Sequence, residues 1–221
     1  MSSTSCSVGS QSRSPRPGGL IPSRPLRPSV SDPSLPLRDG PDVSWLSRCH
    51  VGDNQGADGA CAIFAIANWA EIMHGRAITD ADCLSLYRET LRQAGRPSGG
   101  LTFAEAFAGC RSAGWLPGAR GLQRVGNLDA LARQPIVAGY QITPAWERVS
   151  HDGCLDHSPA AAGPIGGYHA VTIVAHGIIT GNTEPYVYIE NSWGAGWGWQ
   201  GIAVMTEPLH QQLCQELWII V

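Results

Sequence analysis

Residues 59–75 read GACAIFAIANWAEIMHG, a stretch apolar on almost every side of a helix and closed by a glycine. A helix without a polar face is stable only when other elements surround it. The stretch therefore predicts a buried central helix over about 59–74, with Gly75 as its C-terminal stop. Cys61 stands in the first turn of that helix, behind the loop NQGADG. A cysteine that merely fills a core needs no such loop. Unpaired backbone N–H groups and the positive end of the helix dipole collect at a first turn, and both favour thiolate, the nucleophilic form of the side chain. Gly56 and Gly59 let the backbone pass close to a ligand. Gln55 offers a carboxamide N–H that, with a backbone N–H at the helix start, can hold a developing oxyanion.

The remaining elements divide by period. TDADCLSLYRETLRQAG (79–95) opens on a Thr/Asp cap and stops at Gly95. TFAEAFAGCRSAG (102–114) has Thr102 and Glu105 in capping-box spacing and stops at Gly114. A short helix is expected between Asn127 and Pro135. From there IVAGYQI, YHAVTIVAH, YVYIE, GIAVM and ELWII read as strands between Gly- and Pro-rich turns. Helices first and strands second give an α+β class with two lobes: a disordered arm over 1–41, a helical lobe over 42–125 that carries the cysteine, and a β-rich lobe over 126–221.

Composition narrows the partners. A net charge of −3 gives no electrostatic reason for a nucleic acid or an anionic membrane, and neither is expected. No apolar run is long enough to span a bilayer, and the N-terminus lacks the apolar core of a secretory signal. Seven scattered cysteines without a CxxC argue against a disulfide framework and for a reducing compartment such as the cytoplasm. All fifteen basic residues are arginine. A GC-rich genome is the plain reading of that, and escape from lysine-directed ubiquitination in a eukaryotic cytoplasm is the sharper one. Residues 1–31 hold ten Ser, five Pro and four Arg and no acid, too little apolar surface to order themselves. Within them Pro22, Pro25 and Pro28 recur every three residues, along one edge of a polyproline II helix.

A cysteine nucleophile needs a base, and the base needs an orienting group. GGYHAVTIVAHG places His169 at the start of an apolar strand, and YIENSWGAGWGWQG places Asn191 at the end of another, beside Trp193. Adjacent strands would bring the carboxamide oxygen to one imidazole nitrogen and leave the other facing the sulfur, with Trp193 excluding water. His176 lies on the same strand and reads as structural, as do Trp197 and Trp199. His151, Cys154 and His157 have ligand-like spacing, but no second cluster completes a zinc set, so neither metal nor cofactor is expected.

NQGADGAC, YHAV and NSWGAGWGWQG together resemble the papain-like (C1) cysteine peptidases, over about residues 42–221. The resemblance implies a papain-like two-lobe fold, with a helical N-terminal lobe and an antiparallel β-barrel-like C-terminal lobe. It implies Cys61 as nucleophile, His169 as base, Asn191 as its orienter and Gln55 as oxyanion donor. SGGLTFAEAF resembles the segment that pairs with substrate backbone, which implies Gly99 and Gly100 as substrate-binding residues, together with Tyr168 and Trp193. The implied activity is endopeptidase cleavage of a peptide or protein through a thioester. Another acyl transfer on the same triad (amidase, ligase or transglutaminase-like) and a catalytically silent binding protein are the alternatives. The departures also carry expectations. Asp58 stands where the family has a cysteine three residues before the nucleophile, and Pro97 replaces its disulfide partner. Asp58 is expected instead to cap the central helix. The N-terminal arm, too short and Pro-rich for the family's helical propeptide, reads either as a leader of an effector delivered into a host cell or as a segment lying in the cleft in cis and holding the enzyme latent.

Overall fold

A computed structural model describes residues 40–50, 52–147, 149, 153–155, 164–178 and 183–221. The Pro22–Pro28 repeat and two members of the zinc-like trio, His151 and His157, lie outside the described residues.

The central helix, α1, spans Cys61–His74 and is buried continuously from Cys61 to Ile72. It ends at Gly75, which takes a left-handed conformation (φ 65°) and donates its N–H to the Glu71 carbonyl at 2.8 Å. That conformation is why the stop is a glycine. Helix α2 spans Asp80–Gln93 and α3 spans Phe103–Ser112. Both open on complete capping boxes, Thr79 with Asp82 and Thr102 with Glu105. The two motifs are local, so the chain writes them where the helices begin. The three helices enclose one apolar core around Phe64, Ile66, Leu101 and Phe103.

The strands are β1 (Gly40–Ser44), β2 (Leu122–Val125), β3 (Ile136–Ile142), β4 (Gly167–Ile178), β5 (Pro185–Glu190), β6 (Ile202–Thr206) and β7 (Cys214–Ile220). They form one antiparallel sheet in the order β2-β7-β3-β4-β5-β6, with β1 paired to β4. A short helix α4 (Pro144–Glu147) follows β3, and α5 (Glu207–Leu213) connects β6 to β7. Among the described residues the strand path is open, with β2 and β6 at its ends, so the expected barrel-like lobe is there a sheet that does not close on itself. A second core, built on Tyr140, Trp146, Ile173, Trp193 and Trp197, fills its other side. Val137, Ala170 and Ile220 belong instead to the helical core. Thr172 on β4 donates its hydroxyl to the Ala65 carbonyl at 2.8 Å, pinning α1 to the sheet.

Two strands have no clear local signature in the chain. β1 lies at the start of the globular part but pairs with the far half of β4, Val43 opposite His176. β2 falls on the helical side of the 125/126 boundary and yet pairs with β7, Leu122 opposite Ile220. Each is a short, incompletely buried strand whose partner, not its own pattern, makes it one.

Candidate active site

The segment ahead of α1 pairs with the segment beyond β5. Gln55 donates its backbone N–H to the Ser192 carbonyl at 2.9 Å, and Gly194 donates to the Asp53 carbonyl at 2.8 Å. Asn54 and Trp193 form the bridge between them. This two-stranded contact brings the residues around Gln55 against the residues around Asn191.

Cys61 is the first residue of α1 and is buried. The preceding N-cap, Ala60, has no capping side chain, and no acidic residue stands in the first turn. The expected Asp58 cap does not form. Its carbonyl accepts from Gln55 Nε2 at 2.7 Å, while its carboxylate turns to Arg88 Nη2 at 3.2 Å. Arg88, on α2, thereby draws the negative charge into an ion pair instead of a cap. That pair is solvent-exposed and contributes little stability. An N-terminus left without a carboxylate keeps its positive end available to a thiolate. Elsewhere in the molecule burial pushes the thiol of Cys214 up to about 12, and it raises those of Cys83 and Cys110 further.

His169 and Asn191 meet as the strand registers dictate. β4 and β5 are neighbours, and Asn191 is the first residue past β5. His169 Nε2 lies 2.6 Å from Asn191 Oδ1, and both side chains are buried. The backbone N–H of Ser192 donates to the same oxygen at 2.8 Å. A carboxamide oxygen only accepts, so Nε2 carries the proton and Nδ1 is the basic nitrogen. The Trp193 ring covers the imidazole, with centroids 4.7 Å apart, and Trp146 meets it edge-on at 6.1 Å. Both keep water from the hydrogen bond. The Thr172–Ala65 bond lies three residues from His169 and one turn from Cys61, so α1 and β4 are tied close to both.

Gln55 is buried and held at both ends of its amide: Ser192 Oγ donates to Oε1 at 2.7 Å, and Nε2 donates to Asp58. One of the two Nε2 hydrogens is thereby used and the other remains for a ligand. The sequence reading missed Ser192 and Trp146. Ser192 sits inside the NSW motif, but its partner is 137 residues away. Trp146 follows β3 in α4 and shows no pattern of its own.

Gly99 and Gly100 lie beside the nucleophile loop. The Gly99 carbonyl accepts from the Tyr87 hydroxyl at 2.7 Å, and a Cβ on Gly59 would stand 2.9 Å from that carbonyl oxygen. Gly59 is therefore a glycine because the 99–100 segment passes against it. Gly99 itself has φ 107° and open space around its Cβ position. The Gly100 carbonyl accepts from Arg96. Tyr168 is half-buried against the helical core, while Trp193 belongs to the tryptophan cluster over His169.

Behind this arrangement three carboxyls gather from three elements: Asp53 in the pre-helix segment, Glu71 on α1 and Glu190 at the end of β5. Glu71 accepts from the Ile78 N–H at 2.7 Å and lies 3.3 Å from His50 Nδ1. Asp53 accepts from the Asn68 amide nitrogen at 2.9 Å. Burial, reinforced by mutual repulsion, pushes Asp53 up to about 7. Glu71 is raised to about 7, again chiefly by burial, with its Ile78 hydrogen bond opposing. Glu190, bonded to Cys49, is raised well above the carboxylate range. Among the described residues no group of His, Cys, Asp or Glu is arranged to hold a metal ion, and no helix is long and apolar enough to cross a membrane.

Comparison with known proteins gives one family match. The model described as papain family cysteine protease matches residues 123–216, a stretch that includes His169 and Asn191. Among solved structures, xylellain, a cysteine protease from Xylella fastidiosa, aligns over 94% of this chain and 98% of its own at TM-score 0.63 and 17% identity. Procathepsin L 3 of the Tenebrio molitor larval midgut aligns over 92% of this chain and 76% of its own, at TM-score 0.64 and 18% identity. The proform of Amb a 11, a cysteine protease and ragweed pollen allergen, aligns over 88% and 70%, at TM-score 0.59 and 19% identity. At these identities the structural likeness shows the fold. No curated protein sequence matches the chain.

Proposed function

We propose that this papain-like cysteine peptidase cleaves internal peptide bonds through a thioester on Cys61. The observation that carries the reading is the 2.6 Å contact of His169 with Asn191 under Trp193, in a chain whose buried central helix begins on Cys61. His169 Nδ1 takes the proton from the Cys61 sulfur, and the sulfur attacks the scissile carbonyl carbon. The oxygen of the tetrahedral intermediate takes its charge against Gln55 Nε2 and the Cys61 backbone N–H. As the intermediate collapses, the C–N bond breaks and His169 gives its proton to the leaving amine. Water, deprotonated by His169, then attacks the thioester, releasing a carboxylic acid and restoring the sulfur.

An epoxysuccinyl probe is expected to label the wild-type chain on Cys61, and a dipeptidyl fluorogenic substrate to be turned over. Both should vanish in Cys61→Ala. Turnover that persists in the variant would remove the nucleophile, and an inert, unlabelled wild type would leave a binding protein. Mass spectrometry of the products separates hydrolysis from the other acyl transfers: a peptidase leaves a free carboxylate, whereas a ligase or transglutaminase leaves a new amide.

A second element of the reading concerns residues 1–41. Two of the similar structures are of a proform and a procathepsin. The arm of this chain is read correspondingly as a segment that lies in the cleft and slows turnover. Deleting residues 1–39, which leaves β1 whole, should then raise the rate on the dipeptidyl substrate several-fold, and equal rates would reject latency.

A further inference from the structure

Strand β4 runs Ala170, Val171, Thr172, Ile173, Val174, all of them buried. A hydroxyl in the middle of such a run is out of place. Valine has the same shape, suits a strand as well, and brings no polar atom that must find a partner. The partner here is on another element. Thr172 donates to the Ala65 carbonyl at 2.8 Å, across 107 positions of the chain. The helix does not need this bond. Ala65 lies inside α1, where its carbonyl also takes the N–H of Trp69, four residues on.

What the bond joins gives it a use. Cys61 lies one helical turn before Ala65, and His169 lies three residues before Thr172. The core that α1 shares with β4 includes the small residues Ala62, Ala65 and Ala170. Apolar contact between methyl groups is attractive but has no direction, and small side chains make shallow ridges. Such a surface lets a helix slide. A hydrogen bond has a direction and a length. We propose that Thr172 is a positioning residue, whose hydroxyl fixes how far α1 stands along β4 and so how closely the Cys61 sulfur approaches the His169 imidazole. The inference rests on the peptidase reading. A thiolate and an imidazolium support each other's charge in proportion to their closeness. Together they persist from the pH at which the thiol ionises to the pH at which the imidazolium does. Loosening the pair narrows that window from both sides.

The test compares the full wild-type chain with Thr172→Val, Thr172→Ala and Thr172→Ser. Valine keeps the shape and loses the hydroxyl, alanine loses the hydroxyl without a second branch, and serine keeps it. Thermal unfolding checks that each is folded. Alkylation by iodoacetamide is followed from about pH 4 to about pH 9 at the Cys61 peptide by mass spectrometry, since Cys154 is also exposed. Asp53, Glu71, Glu190 and His50 titrate in every member of the series, and Glu190 stands opposite Thr172 on β5, so only differences between members are read. The valine and alanine variants should lower kcat on the dipeptidyl substrate by about three- to tenfold with KM little changed. Their alkylation bell should narrow by about one pH unit, and serine should restore most of both. A lower unfolding midpoint with kcat and the bell unchanged would make Thr172 structural only and overturn the proposal. A serine variant no better than valine would do the same. A wild type with neither turnover nor a bell at Cys61 would instead overturn the peptidase reading.

Discussion

Replacing His169 with alanine is expected to lower kcat/KM by roughly 10³-fold or more, the size of a lost general base and acid. In the proposed mechanism the imidazole acts twice, once on the thiol and once on the leaving amine. Asn191 accepts the Nε2 proton at 2.6 Å, so the basic nitrogen is always the same one. Asn191→Ala should therefore cost less, about 10- to 100-fold, because the ring survives but samples other orientations and tautomers. Position 169 is buried between Trp146 and Trp193, so each variant is first compared with wild type by thermal unfolding. A folded His169→Ala variant with near-normal turnover would dismiss the imidazole from the mechanism. An Asn191→Ala variant as weak as His169→Ala would show that the carboxamide does more than orient the ring.

The second large effect is on stability against pH. Burial raises Asp53 and Glu71 to about 7 and pushes Glu190 well above its ordinary value, whereas in an unfolded chain such carboxyls titrate near 4. The native state therefore binds protons that the unfolded state has already released. A group raised on folding contributes its full stability below the unfolded value, and that contribution drains away as pH rises through the folded value. The window runs from about 4 to about 7. The groups facing the cluster are His50, Asp80 and Cys49; Asp80 adds repulsion and His50 opposes it for Asp53. Buried His210 works the other way, since burial lowers it to about 4 and acid must charge it. One imidazole offsets part of the carboxyl effect without reversing it. The net loss between pH 5 and pH 8 is about 3 kcal/mol, treating the carboxyls as a coupled group, or roughly 6 to 12 °C in the unfolding midpoint. Calorimetric scans at the two pH values measure it, and Glu190→Gln should flatten the difference. A midpoint higher at pH 8 than at pH 5 would refute the proton-sharing arrangement.

The sequence disclosed what depends on neighbours in the chain and hid what depends on distant ones. The apolar run of α1 with its closing Gly75, and the Thr79 and Thr102 capping boxes, are complete within a few residues of themselves. The strands β3 to β7 were legible because their apolar runs are bounded by turn residues. β1 and β2 were not, since Val43 and Leu122 become strand residues only opposite His176 and Ile220. The same division runs through the site. His169 and Asn191 could be paired from adjacent strands, but Asp58 was read as a cap by local rules when its carboxylate had a partner thirty residues on, in Arg88. Ser192 with Gln55, and Asp53 with Glu71 and Glu190, are likewise associations that only the folded chain assembles.

The pairing of residues 53–55 with 192–194 has a mechanical consequence. The amide proposed to receive the oxyanion lies within this short ribbon, at Gln55, and the carboxamide bonded to the imidazole lies one residue before its other rail, at Asn191. In the proposed peptidase any opening of the molecule would carry these two groups together, and their spacing would persist from one cycle to the next.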